Sequence, residues 1–330
     1  RLTVLDKLPD KFFIPNNEIL YHYLELEMSV LEGKVVIVTG GGNGIGRAVA
    51  LLAAKEGASV VVNDLGGGVA GADSSPAPAE AVAQEIRDSG GNAVSNAGSV
   101  TDFDAVMAMR EQAVATFGGL HAVIHSAGNI RDAVLHKMSP EKWQSVIDVH
   151  LTGGFNLCRA TMDLFRGQNE GAYVLFTSGA GLVGSFGQAN YSAAKLGIVG
   201  LARTAAIEGA AKGVRANVIS PSAMTRMTEM IEPKNDSIAS YAERFRKMSP
   251  DQIAQAAVAL ASPHARDING QIFGVRGNEV ILISQPRPIR TIGRLEGWTP
   301  QSMLDHCFPA LKSSFVSMDS VMSLYPYDPV

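Results

Sequence analysis

An α/β fold built on a doubly wound parallel sheet is what this sequence predicts, and three observations carry the expectation. Short β-branched runs alternate with longer helix-like segments through most of the 330 residues. The runs read apolar throughout, as strands do when helices cover both faces of their sheet. A glycine-rich turn leaves the first run and enters a helix-like segment directly.

In order, the runs are "VVIVTG" (35–40), "SVVVND" (59–64), a weaker one near 93–98, "HAVIHSAG" (121–128), "AYVLFTS" (172–178), "RANVISP" (215–221) and "GQIFGV" (270–275). A helical pattern separates each from the next, and the ligand of such a sheet lies beyond the carboxyl ends of its strands. Three stretches depart from the rhythm. Residues 65–79, "LGGGVAGADSSPAPA", read as a loop after the second strand. Residues 222–250 carry Met224, Met227, Met230, Tyr241, Phe245 and Met248 and suit a mobile substrate lid. The tail from Gln285, with "QPRP" and "YPYDP", lacks the βα rhythm and suits a packed extension or a subunit contact. The organisation expected is therefore an N-terminal extension or arm over 1–27, one domain over 28–284, and a C-terminal extension over 285–330.

Composition narrows the function. A formal net charge of −4 gives no electrostatic reason to expect a nucleic-acid or acidic-membrane partner. Cys158 and Cys307 stand far apart with no histidine cluster beside them, so neither a disulfide framework nor a metal site is expected. No run reaches the roughly 18 apolar residues that span a bilayer, no basic-then-apolar leader opens the chain, and "DPV" is not a peroxisomal address. These features fit a cytoplasmic, bacterial-type protein.

The first strand runs into "TGGGNGIGRAVALLAAKEG" (39–57). Gly40, Gly44 and Gly46 permit a tight turn, close approach of backbone to a pyrophosphate, and tight packing of the following helix on the strand. The helix N-terminus offers free N–H groups and a positive dipole end to phosphates. Together these features give the Rossmann type of doubly wound sheet. Asp64 closes the second strand 18 residues after Gly46. An acid there can accept both ribose hydroxyls of an adenosine and repel a 2′-phosphate, so the expected cofactor is NAD. Arg47 should point along its helix and away from that ribose.

The hexapeptide "NYSAAK" (190–195) places Tyr191 and Lys195 one helical turn apart. With the TGxxxGxG spacing of the glycine loop, "HSAG" at 125–128 and Ser178 in "FTSGAG" 13 residues before Tyr191, it closely resembles the short-chain dehydrogenase/reductase family over residues 33 to 280. To oxidise a secondary alcohol, something must take the hydroxyl proton, and a phenol near its ordinary pKa of about 10 is a poor base at neutral pH. A neighbouring ammonium and a positive nicotinamide favour the phenolate. Tyr191 is thus expected to accept the proton in oxidation and donate it in reduction, with Lys195 tuning it. Ser178 is expected to hold the substrate oxygen.

The resemblance further implies that Lys195 holds the nicotinamide ribose. It implies cofactor contacts from Asn43, Ile45, Ser99, Val100, Ser126, Ala127, Gly128 and Pro221, besides Gly40, Gly44, Gly46, Asp64, Tyr191 and Lys195. His150, in "VIDVHLTG", stands where the family usually has an asparagine, and either a proton-relay or a structural role is open to it. His125 and Ser126 replace the two asparagines of the family's "NNAG" strand end.

Several strings, "VVNDLGG", "AGNIRD", "DVHLTGGFNLCRA" and "GQANYSAAKLGIVGLA", resemble the dehydrogenase domain of type 2 peroxisomal multifunctional enzymes and its stand-alone bacterial relatives. That resemblance implies a (3R)-3-hydroxyacyl-CoA or 17β-hydroxysteroid substrate, an apolar acyl-CoA or steroid partner, and a homodimer or homotetramer. Arg131, Lys137, Arg226 and Lys234 are candidate contacts for a CoA phosphate, and solvated surface charge is the plainer reading of each. Two functions stay open on the sequence: an NAD-dependent alcohol dehydrogenase, and a non-catalytic NAD-binding subunit of a heteromeric one.

Overall fold

The computed structural model describes residues 29–68, 75–224, 236–321, 324, 325 and 327–330. The expected N-terminal extension, much of the loop after the second strand, and Arg226, Met227, Met230 and Lys234 of the expected lid lie outside the described residues, as does the side chain of Tyr241.

Eight strands form one sheet in the order β3-β2-β1-β4-β5-β6-β7-β8. They are β1 (Val35–Thr39), β2 (Ser59–Asn63), β3 (Asn92–Asn96), β4 (Ala122–His125), β5 (Gly171–Phe176), β6 (Val214–Ser222), β7 (Ile272–Arg276) and β8 (Glu279–Leu282). The first seven are parallel, as the apolar runs predict. The weakness of the third run has a physical cause, for β3 is an edge strand and only Ala93 of it is buried.

β8 was not among the expected strands, and it makes the sheet mixed. It returns antiparallel along β7 through the two-residue turn Gly277-Asn278, with Arg276 opposite Glu279. Gly277 sits at φ 55°, the left-handed conformation such turns need. Val280 and Leu282 point to solvent, so the segment lacks the unbroken apolar character of the inner strands.

The helices are α1 (Gly44–Lys55), α2 (Ala77–Asp88), α3 (Phe103–Phe117), α4 (Pro140–Ile147), α5 (Gly153–Gln168), α6 (Gly179–Val183), α7 (Ala189–Gly209), α8 (Asp236–Arg246) and α9 (Pro250–Ala261), with short turns in the tail. α1, α2 and α9 bury Val49, Ala53, Val82, Ile86, Ile253 and Ala257 against one sheet face, where Val36, Val38, Val60, Ile124 and Val174 meet them. α3, α5 and α7 cover the other face, with Met109, Leu157, Phe165 and Ile198 against Ile37, Val61, Val123, Tyr173 and Leu175. Local chemistry sets the helix ends. Asp102 caps α3 by accepting from the N–H groups of Asp104 and Ala105, and Gly118 closes it in the left-handed conformation. Ser249 and Gln252 form a capping box on α9.

Of the expected lid, α8 is helical, and Met248 is buried. Cys158 and Cys307 are both buried free thiols. No described helix is long and apolar enough to cross a membrane, and the described residues hold no cluster of metal-binding side chains.

The central strand β5 carries one buried polar knot. Thr161 donates to the Leu157 carbonyl at 2.7 Å and lies 2.8 Å from the Tyr173 hydroxyl, which also reaches the Cys158 carbonyl. Tyr173→Phe removes a donor while Thr161 keeps its own acceptor, so the expected cost is about 1 kcal/mol of unfolding free energy, read from urea denaturation.

Candidate active site

The sheet order reverses between β1 and β4, and the crevice at their carboxyl ends is where an open α/β sheet binds its ligand. Gly40 leaves β1 at φ 66°, and a Cβ there would come within 2.7 Å of the Ala127 amide nitrogen. A Cβ on Gly46 would stand 2.1 Å from the Gly40 carbonyl oxygen. Both positions therefore exclude side chains, and Gly44, at φ 52°, completes the turn. Asn43 precedes α1 in extended conformation without a side-chain cap, and no acid stands in the first turn. Phosphates thus find the N–H groups of Gly44, Ile45 and Gly46 uncapped at a positive dipole end.

Asp64 follows β2 and fastens the glycine loop. One carboxylate oxygen accepts from the Gly42 N–H at 2.9 Å and the other from the Gly66 N–H at 2.7 Å. Each oxygen retains a lone pair for a ribose hydroxyl. Arg47 pairs with Glu85 on α2 at 2.6 Å. Beyond β3, Asn63 donates to the Asn96 side chain and the Gly98 carbonyl, fixing the chain that leads to Ser99 and Val100. Val100 is buried, and its carbonyl accepts from Asn156 of α5 at 2.9 Å. Ser126 at the end of β4 donates its N–H to the Thr39 carbonyl. Pro221 lies near the end of β6, two residues past Ile219, whose carbonyl takes the Thr177 N–H. This set, a side-chain-free phosphate turn with an acid at the end of β2, fits a dinucleotide.

Lys195 is 7 % exposed, and its Nζ donates to the Phe176 carbonyl at 2.8 Å. Thr177 returns a bond, Oγ1 to the Lys195 carbonyl at 2.6 Å. The end of β5 and the first turns of α7 are thus laced together, and Ser178 follows directly as the N-cap of α6, its Oγ accepting from the Ala180 N–H. Gly181 lets α6 lie on α7, for a Cβ there would meet Lys195 Cβ at 2.8 Å. Tyr191 lies one turn before Lys195, whose Nζ is 5.5 Å from the Tyr191 ring centroid. Asn190 is wholly buried, donates to the carbonyls of Arg131 and Lys142, and accepts from the Tyr191 N–H.

His150 belongs to a π-helical turn, Asp148–Thr152, between α4 and α5. Its ring meets the Tyr191 ring edge-on, with centroids 5.2 Å apart and planes at 86°. Gly128 makes room for it, since a Cβ there would lie 2.3 Å from His150 Cε1. Nε2 is 2.9 Å from the Asn129 carbonyl and 3.2 Å from the Asn129 N–H, so it serves one of them at a time. Nδ1 is buried and has no hydrogen-bond partner among the described residues. Burial and the Lys195 charge hold the imidazole pKa well below its usual value, so it is neutral.

His125 stands behind His150. Its Nε2 is 3.1 Å from the His150 carbonyl, which only accepts, so Nε2 carries the proton. Nδ1 then accepts from Thr39 Oγ1 at 2.8 Å, and Thr39 in turn accepts from the Ala127 N–H. Burial pushes the His125 pKa down to about 4, which keeps this single tautomer through neutral pH. Neither Thr39 nor Asn129 was expected at the site. Asn129 lay in the "AGNIRD" string, but spacing gives no hint that its backbone would meet an imidazole 21 residues on.

Of the basic residues considered for CoA, Lys137 is exposed on a short turn, and Arg131 is half-buried. A cleft of about 520 Å³ opens at the amino ends of β4, β5 and β6, lined by His121, Glu170, Arg215 and Arg266. It lies at the opposite edge of the sheet from Tyr191 and takes no part in the site.

Burial lowers the Lys195 pKa to about 7, from an ordinary value of 10.5. The unfolded chain therefore binds one more proton than the folded one between roughly pH 7 and 10. Stability of the cofactor-free protein should rise with pH across that window. In Lys195→Met this contribution to the slope should vanish, as measured by denaturant titration at several pH values.

The profile of the short chain dehydrogenase family matches residues 34–239. A Mycobacterium tuberculosis protein named as a short-chain type dehydrogenase/reductase is 44 % identical over 253 residues, covering 77 % of this chain and 85 % of the relative. The hydroxyacyl-CoA dehydrogenase ChsB1 of the same organism is 40 % identical over 264 residues, covering 78 % and 81 %. The mouse peroxisomal multifunctional enzyme type 2 is 39 % identical over 280 residues, and the match takes in 83 % of this chain but 36 % of that longer enzyme. A crystal structure of a short chain dehydrogenase from Mycobacterium avium superposes with a TM-score of 0.75 at 39 % identity, covering 86 % of this chain and 96 % of the other. The chain belongs to the short-chain dehydrogenase/reductase family and is an NAD(P)-dependent oxidoreductase acting between an alcohol and a carbonyl.

Proposed function

We propose that this protein is an NAD-dependent dehydrogenase of a secondary alcohol, with a (3R)-3-hydroxyacyl-CoA, of fatty-acyl or steroid side chain, as the favoured substrate and a 17β-hydroxysteroid as the next. The observation that carries the chemistry is the convergence of Tyr191, Lys195, Ser178 and His150, drawn from α7, the β5 end and the π turn, beside the crevice lined by the glycine loop. What supports the thioester substrate is the likeness to a relative named as a hydroxyacyl-CoA dehydrogenase. Asp64 supports NAD over NADP, because a 2′-phosphate would meet its negative charge at the glycine loop.

The nicotinamide of the bound cofactor supplies the hydride acceptor. Ser178 Oγ–H donates to the substrate oxygen and fixes its direction. Tyr191 takes the hydroxyl proton as the carbonyl forms. The Lys195 charge favours the phenolate that this requires, and the phenolate in turn favours the charged form of a lysine that burial alone pushes toward neutrality. His150 has one buried ring nitrogen to spare, Nδ1, which suits a bound water or a ribose hydroxyl on the path by which the proton reaches solvent. A neutral imidazole both accepts and donates, so it can pass the proton without holding charge. A homodimer or homotetramer is supported by the exposed Phe155 of α5 and by Leu196 and Ile207 of α7, which leave apolar surface on neighbouring helices.

Purified protein mixed with NAD and, side by side, a medium-chain (3R)-3-hydroxyacyl-CoA, a steroid-side-chain hydroxyacyl-CoA and a free 17β-hydroxysteroid should form NADH from a thioester. NADH from the free steroid alone would overturn the thioester assignment. Tyr191→Phe should lose about 10²- to 10⁴-fold in kcat while binding NAD unchanged, and equal turnover would remove Tyr191 from the base role. Asp64→Ala should weaken NAD by about tenfold to a hundredfold and narrow its advantage over NADP, measured as the ratio of kcat/KM for the two cofactors.

A further inference from the structure

The proline-marked tail does not stay on the outside of the domain. From Gln285 to Ser320 it runs mostly exposed, and at Val321 it comes back. The Val321 N–H donates to the Gly184 carbonyl at 3.1 Å. Gly184 ends α6, the helix whose N-cap is Ser178. At the other end of that helix, a Cβ on Gly179 would lie 2.8 Å from Val321 Cγ2 and 3.2 Å from Leu324 Cδ2. Two apolar side chains of the tail therefore occupy the space over the residue that follows Ser178.

The chain then crosses to the β7–β8 hairpin. The Tyr325 hydroxyl sits over Gly274, 3.0 Å from where a Cβ would stand. The buried Arg276 guanidinium packs on the rings of Tyr325 and Tyr327, at 5.3 and 4.5 Å from their centroids, pairs with Glu279 at 3.2 Å and donates to the Tyr327 carbonyl. The Asn278 N–H donates to the Val330 carbonyl at 2.7 Å, and Asp328 pairs with Lys247, just past α8, at 2.8 Å. The exposed Lys247–Asp328 pair contributes little by itself. The stacked, buried arginine is the firm fastening. Val321, Leu324, Tyr325 and residues 327–330 thus tie together the serine-bearing helix, the edge hairpin and the end of α8 in the expected lid, all at the carboxyl edge of the sheet where the substrate must enter.

We infer that this tail is a wall of the substrate pocket, with Val321 and Leu324 as specificity-determining residues for the part of the substrate beyond its reacting carbon. The inference rests on Ser178 holding the substrate oxygen, as proposed above. An apolar surface beside the residue after that serine favours an aliphatic or ring-bearing substituent, and the room left there limits its girth. Arg276 acts at a distance, by holding the wall in place.

The test compares the full chain with Val321→Ala, Leu324→Ala, Leu324→Trp, Arg276→Ala and a form ending at Ser320. Each is assayed with a short and a bulky 3-hydroxyacyl-CoA, and with a short and a bulky simple ketone plus NADH, while NADH affinity is read by fluorescence. The ketone pair does not presuppose a thioester substrate, so failure of wild-type protein on both thioesters would count against the proposed function alone. Leu324→Trp should raise KM for the bulky member of a pair by about tenfold relative to the short one. Leu324→Ala and Val321→Ala should shift the preference the other way, and NADH affinity should stay within about twofold throughout. Arg276→Ala and the truncated form should blur the discrimination between short and bulky substrates without losing turnover of the short one. Equal effects on short and bulky substrates in the folded point variants, or an unchanged ratio in all of them, would overturn the inference.

Discussion

A lysine side chain cannot be buried without an acceptor for its ammonium, and the rest of the site depends on how that requirement is met. Lys195 donates to the Phe176 carbonyl, and Thr177 answers by donating to the Lys195 carbonyl. Removing one buried partner of such a pair leaves the other's polar group unpaired, which costs more than the bond itself contributes. The reciprocal clasp therefore fixes the end of β5 against the second turn of α7. Ser178 comes one residue after the clasp and Tyr191 one turn before it.

A second line of constraint runs from the glycine loop to the same place. Thr39, the last residue of β1, donates to His125, His125 donates to the His150 carbonyl, and the His150 ring meets Tyr191. Because burial holds His125 neutral down to about pH 4, this chain of bonds keeps one polarity at neutral pH. The His150 carbonyl, at the π turn, is shared between the Gly153 N–H and His125, and Gly128 gives the imidazole the space a methyl group would fill. The crevice at the carboxyl ends of β1 and β4 and the groups proposed to handle the proton thus share a boundary there.

The electrostatics of the site is a balance between burial and mutual support. Burial disfavours charge on Lys195 and on both histidines, and the neighbouring lysine disfavours it further on the histidines. A neutral histidine suits proton transfer, whereas a lysine near half-charge is sensitive to whatever anion stands beside it. The tail adds a mechanical constraint on top, since it bonds to the helix that carries Ser178 as its cap.

The sequence by itself determined the parallel core, because seven β-branched runs between helical patterns have no other economical way to bury both faces. It also offered the glycine turn and the acid at Asp64 from their places at strand ends, and Ser178, Tyr191 and Lys195 through resemblance to the family, since a tyrosine and a lysine one helical turn apart carry no chemistry by spacing alone. Seeing the eighth strand required weighing the two-residue Gly277-Asn278 turn, since exposed Val280 and Leu282 do not read as a buried strand. Only the tertiary structure decided that Thr39, His125 and Asn129 serve His150. Those contacts join residues 21 to 86 positions apart, one between two side chains and two onto backbone carbonyls, and at such separations the sequence carries no local spacing that reveals them. Nor could the tail's return be read from its prolines, for Val321 and Leu324 pack over Gly179, where a side chain would collide with them, and the Val321 N–H bonds to the backbone carbonyl of Gly184.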